Sequence, residues 1–294
     1  MNLLSAIILM SVRIFGKKLY ESVLMCLPPR PGIQLDFLLS QGRLPNLDDP
    51  KTFSEKIEAR KLNDRDSRLP GLADKNKVKD YVVESLGSAW VTPTLWSGPI
   101  LPPRELRNWQ IPYVIKATHG SGQNYFVLSK EAEDWPKIEA IVGRWLKKRH
   151  GLPYREWLYS QIEPGVLVEP YQGDIAELPL DYKFFVFDGI VRYIQVDTGR
   201  KTNHLRVYYD RDWKRQEFAV GVPLEKNPVA PPASLTKMIE AAELIGRDFS
   251  FVRVDLYDLP GHPRFGELTF YPGSGREKFT PQHYDQVFGD LWKI

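Results

Sequence analysis

The chain has 294 residues, 43% of them hydrophobic, which is enough for one large domain or two smaller ones with a sizeable core. Its 40 basic and 37 acidic residues leave a net charge of +3, which is too small to predict binding to nucleic acid. The single cysteine, Cys26, excludes an internal disulfide framework and a cysteine-based zinc site, so the cytosol is an allowed compartment.

The N-terminal segment carries an apolar run from Leu3 to Val12 that two serines interrupt. This run is too short to span a bilayer, which takes about 20 residues, and it lacks the basic start and small-residue cleavage site of a signal peptide. Because Arg13, Lys17 and Lys18 follow it, the segment is typical of a helix at an anionic membrane surface. A helix packed on the domain is the alternative, and we assign residues 1–34 to this helical extension.

Four segments beyond the extension carry helix signals, namely a capping residue, acidic residues in the first turn, or a glycine at the end. They are residues 46–64, with Thr52 or Ser54 as the cap; 74–87, ended by Gly87; 133–151, with basic residues in its last turn; and 231–249, capped by Ser234 and ended near Gly246. A proline-rich connector with a short helix is predicted for residues 97–109.

The remaining stretches are apolar or alternate between apolar and polar residues, as buried and half-buried strands do. Residues 89–96 are predicted to be extended, and strands are predicted within residues 112–130, 165–171, 181–197, 251–257 and 265–271. Residues 181–197 read as a hairpin around Asp188-Gly189, and the last two segments read as a second hairpin. Strand pairs that alternate with helices predict an α+β architecture with mixed or antiparallel sheets.

A glycine-rich turn follows Lys116 in the sequence YVIKATHGSGQN, residues 113–124. Glycines let backbone N–H groups approach a phosphate closely, and a lysine beside such a turn adds a positive charge for the phosphate oxygens. The spacing matches neither a P-loop nor the GxGxxG of dinucleotide-binding folds. On these residues alone, an anion-binding turn and an ordinary hairpin turn both remain open.

The predicted strand at residues 165–171 ends in Glu169 and Pro170, after which the chain reverses. Backbone groups of such a segment can bind an adenine ring between apolar side chains. A strand that ends in Glu-Pro is also common without any ligand, so a purely structural role stays open here.

Three charged residues lie on the last predicted hairpin: Arg253 and Asp255 on its first strand and Glu267 on its second. Residues two apart on a strand share one face, so the arginine and the aspartate point the same way. Mg²⁺ binds one or two carboxylates and keeps its other positions for water and phosphate, and a nearby arginine stabilises developing negative charge. A surface ladder of salt bridges is the alternative, but the apolar flanks make unpaired charges costly and favour the metal site.

The order of these motifs resembles the ATP-grasp superfamily, specifically its branch of TupA-like proteins, which is associated with polysaccharide biosynthesis. The motifs that carry the resemblance are PKTFSEKI (50–57), LADK (72–75), YVIKATHGSGQN (113–124), VLVEPY (166–171), DYKFFVFDG (181–189), VRVDLY (252–257) and FGELTFYPGSG (265–275). The resemblance covers about residues 35–294. It implies two α+β subdomains that clasp ATP, with a lid subdomain at about residues 107–168.

The resemblance also implies which residues bind ATP and Mg²⁺. Those implied for ATP are Lys75, Lys116, the turn residues His119, Gly120, Ser121 and Gly122, the adenine-binding Val168, Glu169 and Tyr171, the ribose-binding Asp181, and Lys183. It implies a metal on Asp255 and Glu267, with Arg253 beside the tetrahedral intermediate. Thr269 stands where many ATP-grasp enzymes have asparagine, so it would offer a hydroxyl as the third metal ligand. The turn of Gly273, Ser274 and Gly275 resembles the substrate-facing turn of carboxylate–amine ligases.

The activity that the resemblance implies is ATP-dependent ligation of a carboxylate to an amine through an acyl phosphate. The carboxylate would be a uronic acid of a cell-surface glycan, or an amino acid or peptide would be attached to that glycan. A phosphotransferase acting on a sugar or lipid-linked intermediate, and a non-catalytic nucleotide-binding component of a glycan-synthesis complex, are the alternatives. We expect a small-molecule or glycan substrate, no nucleic acid, and a cytoplasmic location. If the N-terminal helix is a membrane-surface helix, one of its two interpretations, the protein would attach to the inner face of the membrane.

Overall fold

The computed structural model describes residues 16–173, 180–199, 203–259 and 262–293. Its helices are α1 (residues 16–26), α2 (Pro29–Gln41), α3 (Phe53–Asn63), α4 (Leu69–Ala73), α5 (Val78–Leu86), α6 (Trp135–Leu146), α7 (Trp157–Ser160), α8 (Leu235–Gly246) and α9 (His283–Leu291). Its strands are β1 (Trp96–Gly98), β2 (Tyr113–Ala117), β3 (Asn124–Val127), β4 (Val166–Pro170), β5 (Asp181–Phe187), β6 (Ile190–Thr198), β7 (Leu205–Tyr209), β8 (Arg215–Gln216), β9 (Ala219–Val220), β10 (Phe251–Leu259), β11 (His262–Thr269) and β12 (Phe279–Thr280). The apolar run of residues 3–12 lies outside the described residues.

The two larger sheets of the described residues are antiparallel throughout. One has six strands in the order β11-β10-β5-β6-β7-β8, and the other has four in the order β1-β4-β2-β3. Strands β12 and β9 form a short separate pair. The prediction of an α+β fold with antiparallel sheets is confirmed.

Strand β5 is buried along its whole length, and its side chains show that one face of the six-stranded sheet has an apolar end and a charged end. Side chains two apart share a face, so Asp181 and Lys183 lie on the same face as Phe185 at the other end of the strand. The phenylalanine packs against Phe53 of α3, at 6.3 Å between ring centroids, within a large aromatic core. On the opposite face, Val186 meets Gly246 of α8. One face is therefore apolar at one end and charged at the other.

The four-stranded sheet has a hydrophobic core of its own. Tyr113 and Ile115 of β2 and Val168 of β4 are fully buried in it, together with Ile138 of α6. Strand β1 joins this sheet through pairs that include Trp96 opposite Val168. The lid boundaries at about residues 107–168 stay a prediction.

The four predicted helices are present as α3, α5, α6 and α8. Thr52 caps α3: its hydroxyl accepts a hydrogen bond from the Glu55 amide, while the Glu55 carboxylate accepts one from the Thr52 amide at 3.1 Å. Ser234 precedes α8, but its side chain makes no capping hydrogen bond, so that detail was wrong. Its backbone lies at φ −95° and ψ 16°, whereas a capping residue is typically extended.

The predicted hairpins are also present, with one difference just before β1. Asp188 and Gly189 both have positive φ, 46° and 74°, as a two-residue hairpin turn requires. Residues 88–90 form a 3₁₀ helix where the sequence predicted an extended segment. Gly87, at φ 89°, redirects the chain there, and β1 begins only at Trp96.

Helix α1 packs on the domain through its C-terminal end. Leu24 is fully buried, and the Arg155 guanidinium donates hydrogen bonds to the carbonyl oxygens of Leu24, Met25 and Leu27 at 2.7, 3.2 and 2.5 Å. Among the described helices, none has the length and apolar character that crossing a bilayer takes. The described part of the extension is therefore docked, and membrane-surface binding by residues 3–12 stays a prediction.

Replacing a helix glycine by alanine usually stabilises a protein, but in α9 we expect it to destabilise this one. A Cβ added to Gly289 would lie 2.0 Å from the carbonyl oxygen of Lys51, so Gly289→Ala should lower the free energy of unfolding. Gly143→Ala in α6 is the matched control: nothing lies within 4 Å of its added Cβ, and it should gain about 0.5–1 kcal/mol. Urea unfolding measures both variants, and similar gains in the two would contradict the close approach of α9 to the start of α3.

Candidate functional site

A cavity of about 510 Å³ opens between the two larger sheets, next to the charged end of β5. Most of the site residues expected from the sequence line it. They are Lys75, Lys116, Ser121, Gly122, Glu169, Tyr171, Asp181, Lys183, Arg253, Asp255 and Glu267. Residues far apart in the chain thus form a single site, because the two sheets face each other across it.

The register of the six-stranded sheet sets the charged residues side by side. Asp255 of β10 lies directly opposite Glu267 of β11 on one side and opposite Lys183 of β5 on the other. Arg253 lies opposite Thr269 in the next pair on the same face. The expectation that the arginine and the two carboxylates share one face is thereby met.

Asp255 is buried at 2% exposure, and both of its oxygens are held by cations. The Arg253 guanidinium donates from Nε to Oδ1 at 2.7 Å and from a terminal nitrogen to Oδ2 at 2.8 Å. The Lys183 ammonium donates to the same Oδ2 at 2.8 Å and also to Asp181. Buried charges are tolerated when they are paired and hydrogen-bonded in this way.

Glu267 is the most open carboxylate of the set and pairs with Lys75 at 3.0 Å. Partial burial on its own would raise the pKa of Glu267, but Lys75, Arg253 and Lys183 outweigh it and lower the pKa to about 2. Lys75 also donates to the carbonyl oxygen of Gly120 at 2.8 Å. This lysine therefore ties the glycine-rich turn to the carboxylate at the sheet edge.

A second ion-pair group lines the same cavity. Glu169 accepts from Lys116 at 2.6 Å and pairs with Lys79 at 2.5 Å. Burial would raise the pKa of Glu169, but the two lysines lower it. Lys79 could not be selected from the sequence, since the local pattern does not distinguish it from the exposed Lys77.

Other residues line the cavity without having been expected, among them Thr92, Asp197, His204 and Phe265. Asp197 on β6 receives Arg206 at 2.7 Å and His204 at 3.1 Å. No local motif marks Asp197 or His204. Asp197 reaches the site because β6 lies beside β5 and continues its charged face.

Several expected residues do not line the cavity. His119 is buried, and its Nδ1 accepts from the Gly165 amide at 3.3 Å, which leaves Nε2–H to donate to the carbonyl oxygens of Trp145 and Lys148. Val168 is buried in the core of the smaller sheet, and its carbonyl oxygen accepts from the Leu95 amide at 2.8 Å. Both residues support the cavity wall.

Gly120 and Thr269 act through Lys75 and Arg253, respectively. The Gly120 carbonyl holds the lysine, and the Thr269 hydroxyl accepts from Arg253 at 3.0 Å. Within the described ranges, no group of three or more His, Cys, Asp or Glu side chains is placed to hold a metal ion by itself. A metal bound at Asp255 and Glu267 would therefore need ligands from a bound molecule.

The turn of Gly273, Ser274 and Gly275 also lies outside the cavity lining and packs against α3. All three residues have φ between 56° and 69°. The Lys61 ammonium donates to the Ser274 carbonyl oxygen at 2.7 Å, and a Cβ on Gly275 would lie 2.8 Å from a Glu58 oxygen. The turn is thus fixed by a buried ion pair.

A family model described as TupA-like ATPgrasp matches residues 55–293. The fold is similar to that of the D-alanine–D-alanine ligase from Bacillus anthracis, with 17% identity, a TM-score of 0.42, and coverage of 68% of this chain and 57% of that one. It is also similar to the L-amino acid ligase from Bacillus licheniformis, with 15% identity, a TM-score of 0.42, and coverage of 82% and 55%.

A third solved structure, the ATP-grasp ligase PsnB complexed with a precursor variant, Mg and ADP, has 12% identity and a TM-score of 0.41, with coverage of 77% of this chain and 60% of that one. The chain spans a little more than half the length of these proteins. No curated protein matches the sequence. Because the family model covers most of the chain, the chain belongs to the TupA-like ATP-grasp family.

Proposed function

We propose that the protein is an ATP-dependent ligase that joins a carboxylate to an amine through an acyl phosphate. The observation that carries the proposal is the facing pair Asp255 and Glu267 with Arg253 on the same sheet face, inside a cavity that lysines from both sheets enter. Family membership supports ATP as the phosphoryl donor.

The triphosphate would bind where Lys75, Lys116 and Lys183 converge. Each of these lysines pairs with a carboxylate in the described structure: Glu267, Glu169 and Asp255, respectively. A bound triphosphate competes for the lysines, since Lys⁺–phosphate contacts are strong charge-assisted hydrogen bonds. The cavity therefore has the positive charge that the nucleotide needs without carrying unpaired lysines.

When the lysines bind phosphate oxygens instead of carboxylates, Asp255 and Glu267 become available to bind Mg²⁺. Asp255 and Glu267 would hold the ion together with phosphate oxygens, which matches its preference for one or two protein carboxylates. When bound, Mg²⁺ neutralises phosphate charge and aligns the transfer. Thr269 serves better as a support for Arg253 than as a ligand, because its hydroxyl already accepts from the guanidinium.

Adenine would lie beside Glu169 and Tyr171, where β4 leaves the smaller sheet. Apolar side chains from both sheets line this part of the cavity, among them Leu167 and Phe265. Asp181, at the start of β5, would receive the ribose. This arrangement would place the triphosphate toward Glu267 and the reacting groups beyond it.

Arg253 would stabilise negative charge twice, first on the transferring phosphoryl group and then on the tetrahedral oxyanion of amide formation. Its guanidinium is fixed by Asp255 and Thr269 and so is oriented before any substrate binds. Groups oriented in advance cost no reorganisation during the reaction.

We propose a uronic acid of a cell-surface glycan as the carboxylate substrate, with the enzyme at the inner face of the membrane. The association of TupA-like proteins with polysaccharide biosynthesis, which the sequence resemblance implies, supports a glycan substrate. The test is mass spectrometry of products from ATP, Mg²⁺, glucuronic or galacturonic acid glycans, and ammonia, ethanolamine, L-alanine or D-glucosamine. A ligase gives ADP, phosphate and an amide, and hydroxylamine gives a hydroxamate; phosphate retained on the glycan would instead identify a phosphotransferase.

Asp255→Asn and Glu267→Gln should each reduce ATP turnover at least about 100-fold, because both keep the side-chain shape but remove a charge that holds the metal. Turnover is measured as ADP release, and thermal unfolding shows whether the fold persists. Glu267→Gln is the cleaner variant, since this side chain is 31% exposed. Near-normal turnover in both variants would remove the metal-site assignment.

Lys116→Ala should raise the Kd for ATP roughly 10-fold or more, the usual effect of losing a hydrogen bond to a charged group. The fold should tolerate the change, because Glu169 keeps Lys79 at 2.5 Å. Lys130→Ala, which removes an exposed lysine paired with Glu133, is the matched control and should leave the Kd unchanged. Calorimetry with ATP measures all three proteins, and an unchanged affinity in Lys116→Ala would show that this lysine does not meet the phosphates.

Arg253→Lys should uncouple ATP cleavage from amide formation. Lysine keeps one charge but loses the planar fork that holds two oxygens at once. The amide rate should fall on the order of 100-fold, and further than the rate of ATP cleavage. Parallel assays of ADP and amide give the ratio, and equal losses in both would argue against a role for Arg253 at the tetrahedral oxyanion.

A further inference from the structure

His204 and Asp197 form a hydrogen-bonded pair in the wall of the cavity that the proposed function does not use. The imidazole is 38% exposed, whereas the carboxylate is buried. Nε2 of the ring lies 3.1 Å from Oδ1 of the aspartate and donates to it, since an ionised carboxylate can only accept. The second ring nitrogen, Nδ1, makes no hydrogen bond with any residue that the structure describes. One polar ring atom is therefore available to a molecule bound in the cavity.

Asp197 is held by three hydrogen-bond donors and so fixes the imidazole. Besides His204, Arg206 donates from Nε to Oδ1 at 2.7 Å, and Gln195 donates to Oδ2 at 2.9 Å. The Tyr208 hydroxyl holds Gln195 in turn, at 2.9 Å. All of these supporting side chains are buried, so the histidine is the member of the group that a ligand can reach. A polar group that is oriented in advance binds a ligand at a lower entropic cost.

The sheet register places this pair beside Asp181. Tyr182 of β5 lies opposite Val196 of β6. One step further along the antiparallel register, Asp181 and Asp197 lie side by side on the cavity face, and both line the cavity. On the other side of Asp181, Tyr257 of β10 lies directly opposite it. Because neighbouring strands are about 5 Å apart, a single sugar ring could contact both β5 and β6.

Two neighbouring carboxylates are an unusual choice for a purely structural position. Like charges directly opposite each other destabilise a sheet. Each aspartate has a cation of its own here: Lys183 pairs with Asp181, and Arg206 pairs with Asp197. Replacing buried ion pairs by apolar side chains is often neutral or stabilising, so the fold alone does not require these charges. A ligand that carries several hydroxyl groups would use them.

The order of side chains across the sheet matches the order of groups in a nucleoside. In the proposed placement, adenine lies near Phe265 of β11, and Asp181 of β5 receives the ribose. Tyr257 of β10 lies between these two strands, and Asp197 of β6 lies beyond Asp181. Ribose carries hydroxyl groups on two adjacent carbons. If Asp181 binds one of them, the other is left for the imidazole on the β6 side.

We propose that His204, oriented by Asp197, binds one ribose hydroxyl of ATP and so selects the ribonucleotide over a deoxynucleotide. The proposal rests on the ATP-dependent function above and adds a specificity-determining residue to it. Asp197 acts through the imidazole and is a positioning residue. The contact suits either form of the ring, because neutral Nδ1 accepts from the hydroxyl, whereas protonated Nδ1 donates to its oxygen.

The expected selectivity is modest. A site that binds a substrate hydroxyl rejects an analogue without it, because the polar atom of the site then loses its partner. His204 is partly exposed, so water can replace the missing hydroxyl. The Kd should therefore change about 5- to 10-fold, which corresponds to the net contribution of one ordinary hydrogen bond.

The test is calorimetry on the full chain with Mg²⁺ and three nucleotides: ATP, 2′-deoxy-ATP and 3′-deoxy-ATP. His204→Ala should raise the Kd for ATP about 5- to 10-fold. One of the two deoxynucleotides should bind equally well to the variant and to the wild type, because it lacks the hydroxyl that His204 contacts. The other should lose the same factor as ATP. Such a cycle isolates the contact between one side chain and one hydroxyl.

His283→Ala is the matched control, since this histidine is exposed on α9 and does not line the cavity. It should leave all three Kd values unchanged. His204→Ala should remain folded, because Asp197 keeps Arg206 and Gln195 as donors. Thermal unfolding checks this at the temperature of the titrations.

The measurement is of binding alone, so it separates this inference from the ligase function. The ribose contact is wrong if the wild type binds all three nucleotides equally, or if His204→Ala weakens all three by the same factor or none of them. A variant with unchanged Kd values but a raised KM for the glycan would place His204 at the acceptor instead. In each of these cases the ligase function stands, whereas a wild-type protein that does not bind ATP would overturn both proposals.

Discussion

The charged half of the six-stranded sheet depends on one buried lysine. Lys183 donates to Asp181 on its own strand and to Asp255 on the neighbouring strand, so one ammonium bridges two carboxylates and shares Asp255 with Arg253. Removing one member of such a buried group typically costs several kcal/mol, because the charge left behind is neither paired nor hydrated. The group also fixes the register of β5 and β10, since a slip of one residue would turn its charges to the opposite face.

The two ends of β5 explain why a reactive site can sit on a rigid support. Phe185 and Phe187 are fixed by the aromatic core that Phe53 and Phe251 fill. Because the same strand continues into the cavity, the aromatic core also holds its charged end in place. The smaller sheet approaches from the other side with a separate core, and Lys75 links the two sides because it holds both the Gly120 carbonyl and Glu267. Ionic contacts can be exchanged for phosphate contacts without disturbing either core.

How much of this could be read from the sequence differs between local and distant features. The hairpin with Arg253, Asp255 and Glu267 was predictable because strand periodicity fixes which side chains share a face. The Thr52 cap was equally local. Lys79 and Asp197 were not predictable, because they reach the cavity only through the packing of α5 and the order of strands in the sheet. His119 shows the opposite case: its place in a glycine-rich turn suggested a ligand, whereas the fold uses its ring to tie three backbone groups together.

Arg155 connects the N-terminal extension to the segment that carries Glu156, directly before α7. Its guanidinium donates to the carbonyl oxygens of Leu24 and Met25 in α1 and of Leu27 just beyond it. The Arg155 backbone, at φ 58°, is in a left-handed conformation that the surrounding contacts must maintain. A shortened protein that begins after α1 would keep only the Leu27 acceptor of the three and so would weaken the contacts that hold this backbone. The extension and the segment around Arg155 therefore form one packed unit, and a protein without α1 would differ from the full chain in the conformation next to Glu156.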